Sequence, residues 1–206
     1  RSIKYLKTTE NIGYDRNLQN IFVEAKGQYV WTIAADDIIT KSDTVDIIID
    51  LIQCNPECSL IHVGGNDKLK CEFKTNWDEN FLLDSNFQSG GVSLNIIRRE
   101  TWLESNPLSF IDSEWIHFGV IINIANSVQS IITRDQFVKE NPRAAVLFKS
   151  WNVSGSSLII MLKLVNIFLG MKELGYSKKV QRYAINLIKK RYPQEIIKAK
   201  AQGLNI

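Results

Sequence analysis

Hydrophobic residues recur with helical spacing in the first part of residues 11–37. The apolar positions at i, i+3, i+4 and i+7 are Leu18, Ile21, Phe22 and Ala25. This period is typical of a helix with one apolar face. Asp15 is of the residue type that caps the start of a helix, and Gly27 is of the type that ends one. The pattern therefore predicts an amphipathic helix between Asp15 and Gly27.

A nearly continuous apolar run follows this helix. Residues 29–35 are apolar apart from Thr32 and lack alternation, which is typical of a parallel strand buried on both faces. Asp36 and Asp37 come directly after the run. Ligands of open α/β sheets bind beyond the carboxyl ends of the strands, so two adjacent carboxylates there indicate a cation site. With a short strand before the turn at Gly13, the stretch predicts a βαβ-like unit.

Helical and strand patterns continue to about residue 150. A second helix, ended by Pro56, is predicted from the apolar positions Val45, Ile48, Ile49 and Ile52. Strands are predicted at residues 60–63, 92–97 and 128–132, the third of them being the last, and His62 is predicted to be a core or edge histidine. A helix that is apolar nearly all round, and therefore buried, is predicted from Trp115 onward. These elements favour an α/β fold with a mixed sheet flanked by helices.

Charge divides the chain near residue 150. Residues 151–206 hold ten Lys and Arg and two Asp and Glu, a net charge of +8, whereas residues 1–150 carry a net charge of −5. The apolar run at residues 158–171 is too short to span a bilayer, which needs about 20 apolar residues. A helical stripe surrounded by Lys and Arg follows it, formed by Val180, Tyr183, Ala184, Leu187 and Ile188. The pattern predicts a basic amphipathic helical extension over residues 151–206.

Two interpretations of this extension remain open. It either packs on the domain with a solvated basic face, or it contacts an anionic membrane surface. Nucleic acid is not an expected partner, because the stripe has one aromatic residue, Tyr183, and no stacking platform. The three cysteines are expected to be reduced thiols of a cytosolic protein, since free Cys behaves as a small buried hydrophobe; they are Cys54, Cys58 and Cys71.

Several short motifs occur together in residues 11–37: Asn-x-Gly-x-x-x-Asn, then Ala-Lys-Gly-x-Tyr, an apolar strand and Asp-Asp. In this combination the chain resembles the family 2 glycosyltransferases of GT-A fold, and within them bacterial sugar transferases of the abequosyltransferase type, which build surface polysaccharide. The strong part of the resemblance covers residues 3–53, and a looser part continues to about residue 120. Members of the family usually have Asp-x-Asp-Asp or Ser-Asp-Asp at the end of this strand, whereas Ala34 and Ala35 precede the aspartates here. Family members also begin with a strand, a helix and a second strand that hold the nucleotide base, and this chain starts after them.

The resemblance implies a truncated, Rossmann-like GT-A domain over residues 1–150, followed by the extension at residues 151–206. The donor diphosphate is then expected near the start of the first helix, where free N–H groups favour anions. The residues expected there are Asn11, Gly13, Arg16 and Asn17. Asp37 is expected to hold Mg or Mn, which suit oxygen ligands, and Asp36 to orient the ribose. The alternative for residues 11–17 is a plain strand-to-helix turn capped by Asp15.

The resemblance also implies a catalytic carboxylate. Asp112 lies near the position where inverting members of the family place that group, and Glu114 is the second choice. Such a carboxylate takes the proton from the acceptor hydroxyl. The alternative is that Asp112 only caps the buried helix that follows it.

The expected function is transfer of a sugar from a nucleotide-sugar donor to a lipid-linked saccharide acceptor during synthesis of surface polysaccharide of the O-antigen kind. The expected location is the cytoplasm, at the inner face of the cell membrane. The alternative is a noncatalytic remnant of the fold, or a partner subunit, without a complete donor pocket. That alternative is favoured by the absence of the base-binding strands from this sequence.

Overall fold

The computed structural model describes residues 5–66, 73–75, 78–141, 156–201 and 203. The helices are α1 Tyr14–Glu24, α2 Thr44–Cys54, α3 Glu79–Asp84, α4 Arg99–Glu104, α5 Ile116–Ala125, α6 Ser156–Gly170 and α7 Lys178–Ala201. The strands are β1 Tyr29–Trp31, β2 Asp37–Ile39, β3 Leu60–His62, β4 Phe73–Thr75, β5 Asn95–Arg98, β6 Ser130–Thr133 and β7 Val138–Glu140. Short 3₁₀ turns cover Gln88–Gly90, Val92–Leu94 and Pro107–Phe110. The described chain is an α/β fold, as predicted.

Five strands form one mixed sheet in the order β1-β5-β3-β6-β4. β3 and β6 are parallel, whereas β5 is antiparallel to both of its neighbours, β1 and β3. β1, β3 and β6 therefore run in one direction, and their carboxyl ends lie at one side of the sheet, which we call the carboxyl edge. β2 and β7 form a separate antiparallel pair.

The strand predicted at residues 29–35 is shorter than expected and pairs differently. β1 covers only its first three residues, stands at one end of the strand order and pairs antiparallel with β5, so the prediction of a buried parallel strand is wrong. The rest of the run bonds to a 3₁₀ turn instead of a strand. The Thr32 hydroxyl donates to the Val92 carbonyl at 3.1 Å, and the Ala34 N–H donates to the Ser93 hydroxyl at 2.8 Å.

Other boundaries also differ from the sequence predictions. Within residues 5–13 no strand precedes α1, so the described part of the βαβ-like unit is a helix followed by a strand. The predicted last strand is β6, but β7 follows it along the chain. In α2 the prediction of the helix is confirmed, yet Val45 and Ile49 are exposed and only Ile48 of the predicted apolar face is fully buried. α5 is buried nearly all round, as predicted.

Two hydrophobic clusters lie on opposite faces of the sheet because side chains alternate along each strand. One face presents Leu60, Ile97 and Ile132, and the other presents Ile61, Ile96 and Ile131. Residues of α1, α3, α5, α6 and α7 join the first cluster, and α2 packs on the second. The sheet therefore has helices on both faces, the arrangement typical of α/β domains.

The two C-terminal helices belong to the first cluster. Val180, Ala184 and Ile188 of α7 are buried, and α7 packs against α6. The predicted apolar stripe thus faces the protein, while the Lys and Arg residues around it are exposed. The predicted domain boundary at residue 150 lies outside the described residues. None of the helices in the described ranges combines the length and apolar character needed to cross a membrane.

Candidate functional site

Short connections place two helix N-termini near the carboxyl edge. Residues 25–28 join α1 to β1, and residues 126–129 join α5 to β6. Across such a short connection the chain turns back, so each helix starts on the side where its strand ends. α1 and α5 contact each other. The starts of both helices therefore lie on the side of the sheet where Asp36 and Asp37 follow β1.

Three consecutive residues of α1 contact the start of α5 and the segment that leads into it. We call this contact region the α1–α5 junction; it consists of Tyr14, Asp15, Arg16, Asp112, Glu114 and His117. The Tyr14 hydroxyl lies 2.9 Å from Nδ1 of His117. Arg16 Nη2 lies 3.4 Å from each carboxylate oxygen of Asp112. Arg16 and Asp112, two of the predicted site residues, are thus brought together.

Asp15 connects the two helices through the backbone. Its side chain is 4% exposed and accepts hydrogen bonds from the N–H groups of Glu114 at 2.8 Å and Ile116 at 3.1 Å. N–H groups at a helix start lack partners within the helix, so Asp15 caps α5 from outside. Burial raises the pKa of the Asp15 carboxyl, and the two N–H bonds oppose that shift.

Both predicted caps are therefore wrong. Asp15 does not cap its own helix, because it lies inside the first turn of α1, whose N-cap is Gly13. Asp112 does not cap α5, because that helix begins four residues later, at Ile116, with Trp115 as N-cap. Asp112 instead projects into solvent beside Arg16.

The segment before α5 has an unusual backbone. Asp112 and Glu114 have φ angles of 68° and 61°, in the left-handed region that residues other than glycine rarely occupy. Each such residue costs on the order of 1–3 kcal/mol and persists only where surrounding contacts hold it, commonly at functional sites. Those contacts here are the bonds to Asp15 and the bond from the Trp115 N–H to the Ser113 hydroxyl at 2.9 Å.

The two candidate catalytic carboxylates differ in accessibility. Each is ion-paired, Asp112 with Arg16 at 3.4 Å and Glu114 with Lys163 at 3.2 Å, but the Asp112 side chain is 79% exposed and the Glu114 side chain only 36%. A general base must reach the proton that it removes. The geometry therefore favours Asp112 over Glu114.

Replacing Asp15 by Asn is expected to destabilise the protein. The amide keeps the shape of the side chain but loses the charge that strengthens both bonds to the start of α5, and its oxygen and NH₂ group cannot both accept. We expect the free energy of unfolding to fall by about 2–3 kcal/mol, measured by urea denaturation. Asp43→Asn is the matched control, because Asp43 is exposed and its side chain caps nothing at the start of α2. Equal losses in the two variants would contradict the capping role.

Asp36 and Asp37 lie where the chain enters the β2–β7 pair. Asp36 is exposed and its carbonyl accepts the Asn141 N–H at 2.7 Å, while Asp37 is half-buried at the start of β2. Glu140 stands opposite Asp37 in this pair, and like charges in that position destabilise paired strands. Among the residues that the structure describes, neither aspartate forms an ion pair. A bound cation would offset this repulsion.

A metal ion bound at Asp36 and Asp37 would take some of its ligands from the bound substrate. Within residues 5–66, 73–75, 78–141, 156–201 and 203, no group of three or more His, Cys, Asp and Glu side chains is placed to hold a metal. Magnesium is usually bound by one or two carboxylates together with substrate phosphates. In that mode Asp37, with Asp36 next to it in the sequence, would supply one or two carboxylates. In the same residues, no hydrogen bond or ion pair joins them to the α1–α5 junction.

The remaining predicted donor residues form the turn that begins α1. The Asn11 side chain accepts the Gly13 N–H at 3.0 Å, and Gly13 has a φ of 79°. The Asn17 N–H donates to the Gly13 carbonyl at 3.1 Å and closes the first turn of the helix. The glycine turn followed by a helix is as predicted, and its binding of a diphosphate stays a prediction.

A polar cavity of about 460 Å³ opens at the carboxyl ends of β3 and β6. Its polar lining includes Asn66, Asp84, Ser85, Gln88, Ser89, Arg134 and Gln136. His62, also in the lining, is buried beside the Asn95 side chain at 3.2 Å, and burial lowers its pKa to about 4, which confirms it as a core histidine. Sequence patterns did not reveal this cavity because four separate segments form it.

A second cavity, which we call the Asp112 groove, has a volume of about 450 Å³. It is lined by Ser109, Phe110, Ile111, Asp112, Ser113, Lys163, Asn166, Ile167, Gly170 and Leu174. One wall is therefore the segment before α5 and the other is α6. The sequence carried no signal for the contribution of α6, because its residues follow Asp112 by about fifty positions.

Comparison of the chain with models of protein families, with curated proteins and with solved structures finds no match. A fold class alone does not specify an activity, so function has to be argued from the site. The site offers an exposed carboxylate in a strained loop, an arginine beside it, a glycine turn opening a helix, and two adjacent aspartates on the same side of the sheet.

Proposed function

We propose that the protein is a glycosyltransferase of GT-A type that moves a sugar from a nucleotide-sugar donor to a lipid-linked saccharide. The observation that carries the proposal is the α1–α5 junction. There the first turn of α1, which follows the glycine turn, meets Asp112 through Arg16, on the side of the sheet where Asp36 and Asp37 follow β1. These are the residues that the resemblance to family 2 glycosyltransferases assigns to the donor, the metal and the base.

The start of α1 is suited to the donor diphosphate. Free N–H groups at a helix N-terminus favour anions, and Gly13 adds no side chain that would block their approach. The Arg16 side chain is 55% exposed and supplies a positive charge one turn into the helix. Asn11 and Asn17, both exposed, add polar groups on either side of Gly13.

Asp37, with Asp36 beside it, is the metal position in this proposal. Mg or Mn bound there would neutralise the negative charge that builds up on the departing nucleoside diphosphate. The half-buried position of Asp37 fixes its carboxylate better than that of the exposed Asp36, which is free to meet the ribose.

Asp112 is the general base. Its carboxylate is exposed and lines the Asp112 groove, whose volume of about 450 Å³ can take part of a saccharide. Asp15 holds the loop that presents it, and Arg16 lies beside it. Glu114, paired with Lys163, supports the loop instead.

Thermal stabilisation by nucleotides tests the proposal. The protein is heated with UDP, GDP, CDP or dTDP, with and without Mn. At 100 times its Kd, a nucleotide that binds the folded state stabilises it by about 2.7 kcal/mol. We expect one nucleotide to raise the Tm when Mn is present. We expect EDTA to reverse that rise. If no nucleotide raises the Tm, the result contradicts the proposal and favours the noncatalytic alternative.

A further inference from the structure

The outward face of α6 carries three exposed apolar side chains beside the exposed Asn166. Ile159, Leu162 and Leu169 are 50%, 44% and 53% exposed, and their spacing of three and seven residues places them on one side of the helix. The buried side of the helix carries Met161 and Phe168. Contiguous exposed apolar side chains bordered by polar residues are typical of surfaces that meet a partner or a membrane.

Charge around this face suits an anionic partner. Lys163, four residues after Ile159, borders the apolar side chains and is paired with Glu114, and Lys172 lies two residues beyond the end of α6. Residues 156–201 contain ten Lys and Arg against two Asp and Glu. Exposed apolar side chains on a segment with a net charge of +8 are the composition with which surface helices bind anionic lipid.

The same helix borders the proposed catalytic base. Lys163, Asn166 and Gly170 of α6 line the Asp112 groove together with Asp112. Leu108, in the 3₁₀ turn that leads to the other wall, is 66% exposed. A lipid-linked acceptor would enter the groove from the surface that contacts the exposed side chains of α6.

We propose that the α6 face formed by Ile159, Leu162 and Leu169 docks on an anionic lipid bilayer and holds the Asp112 groove at the lipid surface. The α7 stripe cannot serve in its place, because Val180, Ala184 and Ile188 are buried in the core. The basic side chains of α7 add long-range attraction, and α6 supplies the apolar contact. The benefit of this docking for catalysis rests on the proposed function, whereas the docking itself does not.

Vesicle sedimentation of the full chain tests the docking. The double variant Ile159→Gln with Leu169→Gln removes the apolar contact and keeps the charge, and the helix tolerates Gln. The matched control is Val45→Gln with Ile49→Gln, because these side chains are 46% and 45% exposed on α2, which packs on the other face of the sheet. The probe is a vesicle of phosphatidylglycerol and phosphatidylcholine.

We expect the α6 variant to bind about 10- to 30-fold more weakly than wild type and the control variant to bind as wild type does. Equal binding by all three proteins, or equal loss in both variants, would overturn the proposal. So would a wild-type dimer that the α6 variant converts to a monomer, since a second copy would then cover this face. If the α6 variant binds vesicles more weakly than wild type but wild type binds no nucleotide, the docking is supported and the glycosyltransferase function is rejected.

Discussion

Replacing Asp112 by Asn is expected to lower kcat for sugar transfer by about 10²-fold or more while the affinity for the donor barely changes. An amide cannot take a proton from the acceptor hydroxyl, and Asp112 is the exposed carboxylate of the α1–α5 junction. The change is gentle on the fold, because Asn adopts a φ of 68° as readily as Asp does. The measurement is release of the nucleoside diphosphate at saturating donor with the lipid-linked acceptor present.

Glu114→Gln is the control for this prediction. It removes the same charge two residues away, from a side chain that is paired with Lys163 and has a similar backbone conformation. We expect its rate to fall less than tenfold and its Tm to fall because the ion pair is lost. A larger rate loss in Glu114→Gln than in Asp112→Asn would make Glu114 the general base and Asp112 the residue that supports the loop. An unchanged rate with a lower Tm in Asp112→Asn would make Asp112 a structural residue.

The helices were predictable because their signals are local. The spacing of Leu18 and Phe22 locates α1, and the nearly unbroken apolar composition of α5 marks it as buried. Strand partners are not a local property. The apolar run at residues 29–35 has the composition of a buried strand, yet after its third residue the Thr32 hydroxyl and the Ala34 N–H bond to a 3₁₀ turn about sixty residues along the chain.

The candidate site was partly predictable for the same reason. Asp36 and Asp37 were found because they are adjacent and follow an apolar run. The role of Asp15 was missed because an aspartate near a helix start has the same local sequence whether it caps its own helix or another one. Its partners, Glu114 and Ile116, are about a hundred residues away, and only the packing of α1 on α5 brings them together.

The C-terminal helices show a similar ambiguity. A basic amphipathic pattern predicts an apolar stripe that must be covered, but it does not say whether protein or lipid covers it. In α7 the protein core covers Val180 and Ala184. The exposed side chains Ile159, Leu162 and Leu169 belong to α6. The sequence of α6 is apolar on most sides of the helix, so it does not show which side faces solvent.

Replacing Asp37 by Asn is expected to remove the dependence of nucleotide binding on Mn. The amide lacks the charge that holds the cation, so nucleotide affinity in Mn should fall at least tenfold, which is about 1.4 kcal/mol or more. Stability should stay the same or rise slightly, because Asp37 faces Glu140 across the β2–β7 pair and the substitution removes that repulsion. Asp36→Asn should weaken binding less, since Asp36 is assigned to the ribose.

Asp43→Asn is the control, because it removes an exposed aspartate six residues further along the chain, at the start of α2 and outside the β2–β7 pair. It should bind the nucleotide as wild type does, with and without Mn. A loss of Mn dependence in this variant as well would mean that general negative charge, and no particular carboxylate, attracts the metal.

The most direct test is calorimetric titration of wild type, Asp37→Asn and Asp43→Asn with the stabilising nucleoside diphosphate, in Mn and in EDTA. The predicted result is Mn-enhanced binding by wild type and Asp43→Asn and weak, Mn-independent binding by Asp37→Asn. Mn-enhanced binding that survives in Asp37→Asn would contradict the assignment of the metal to this carboxylate.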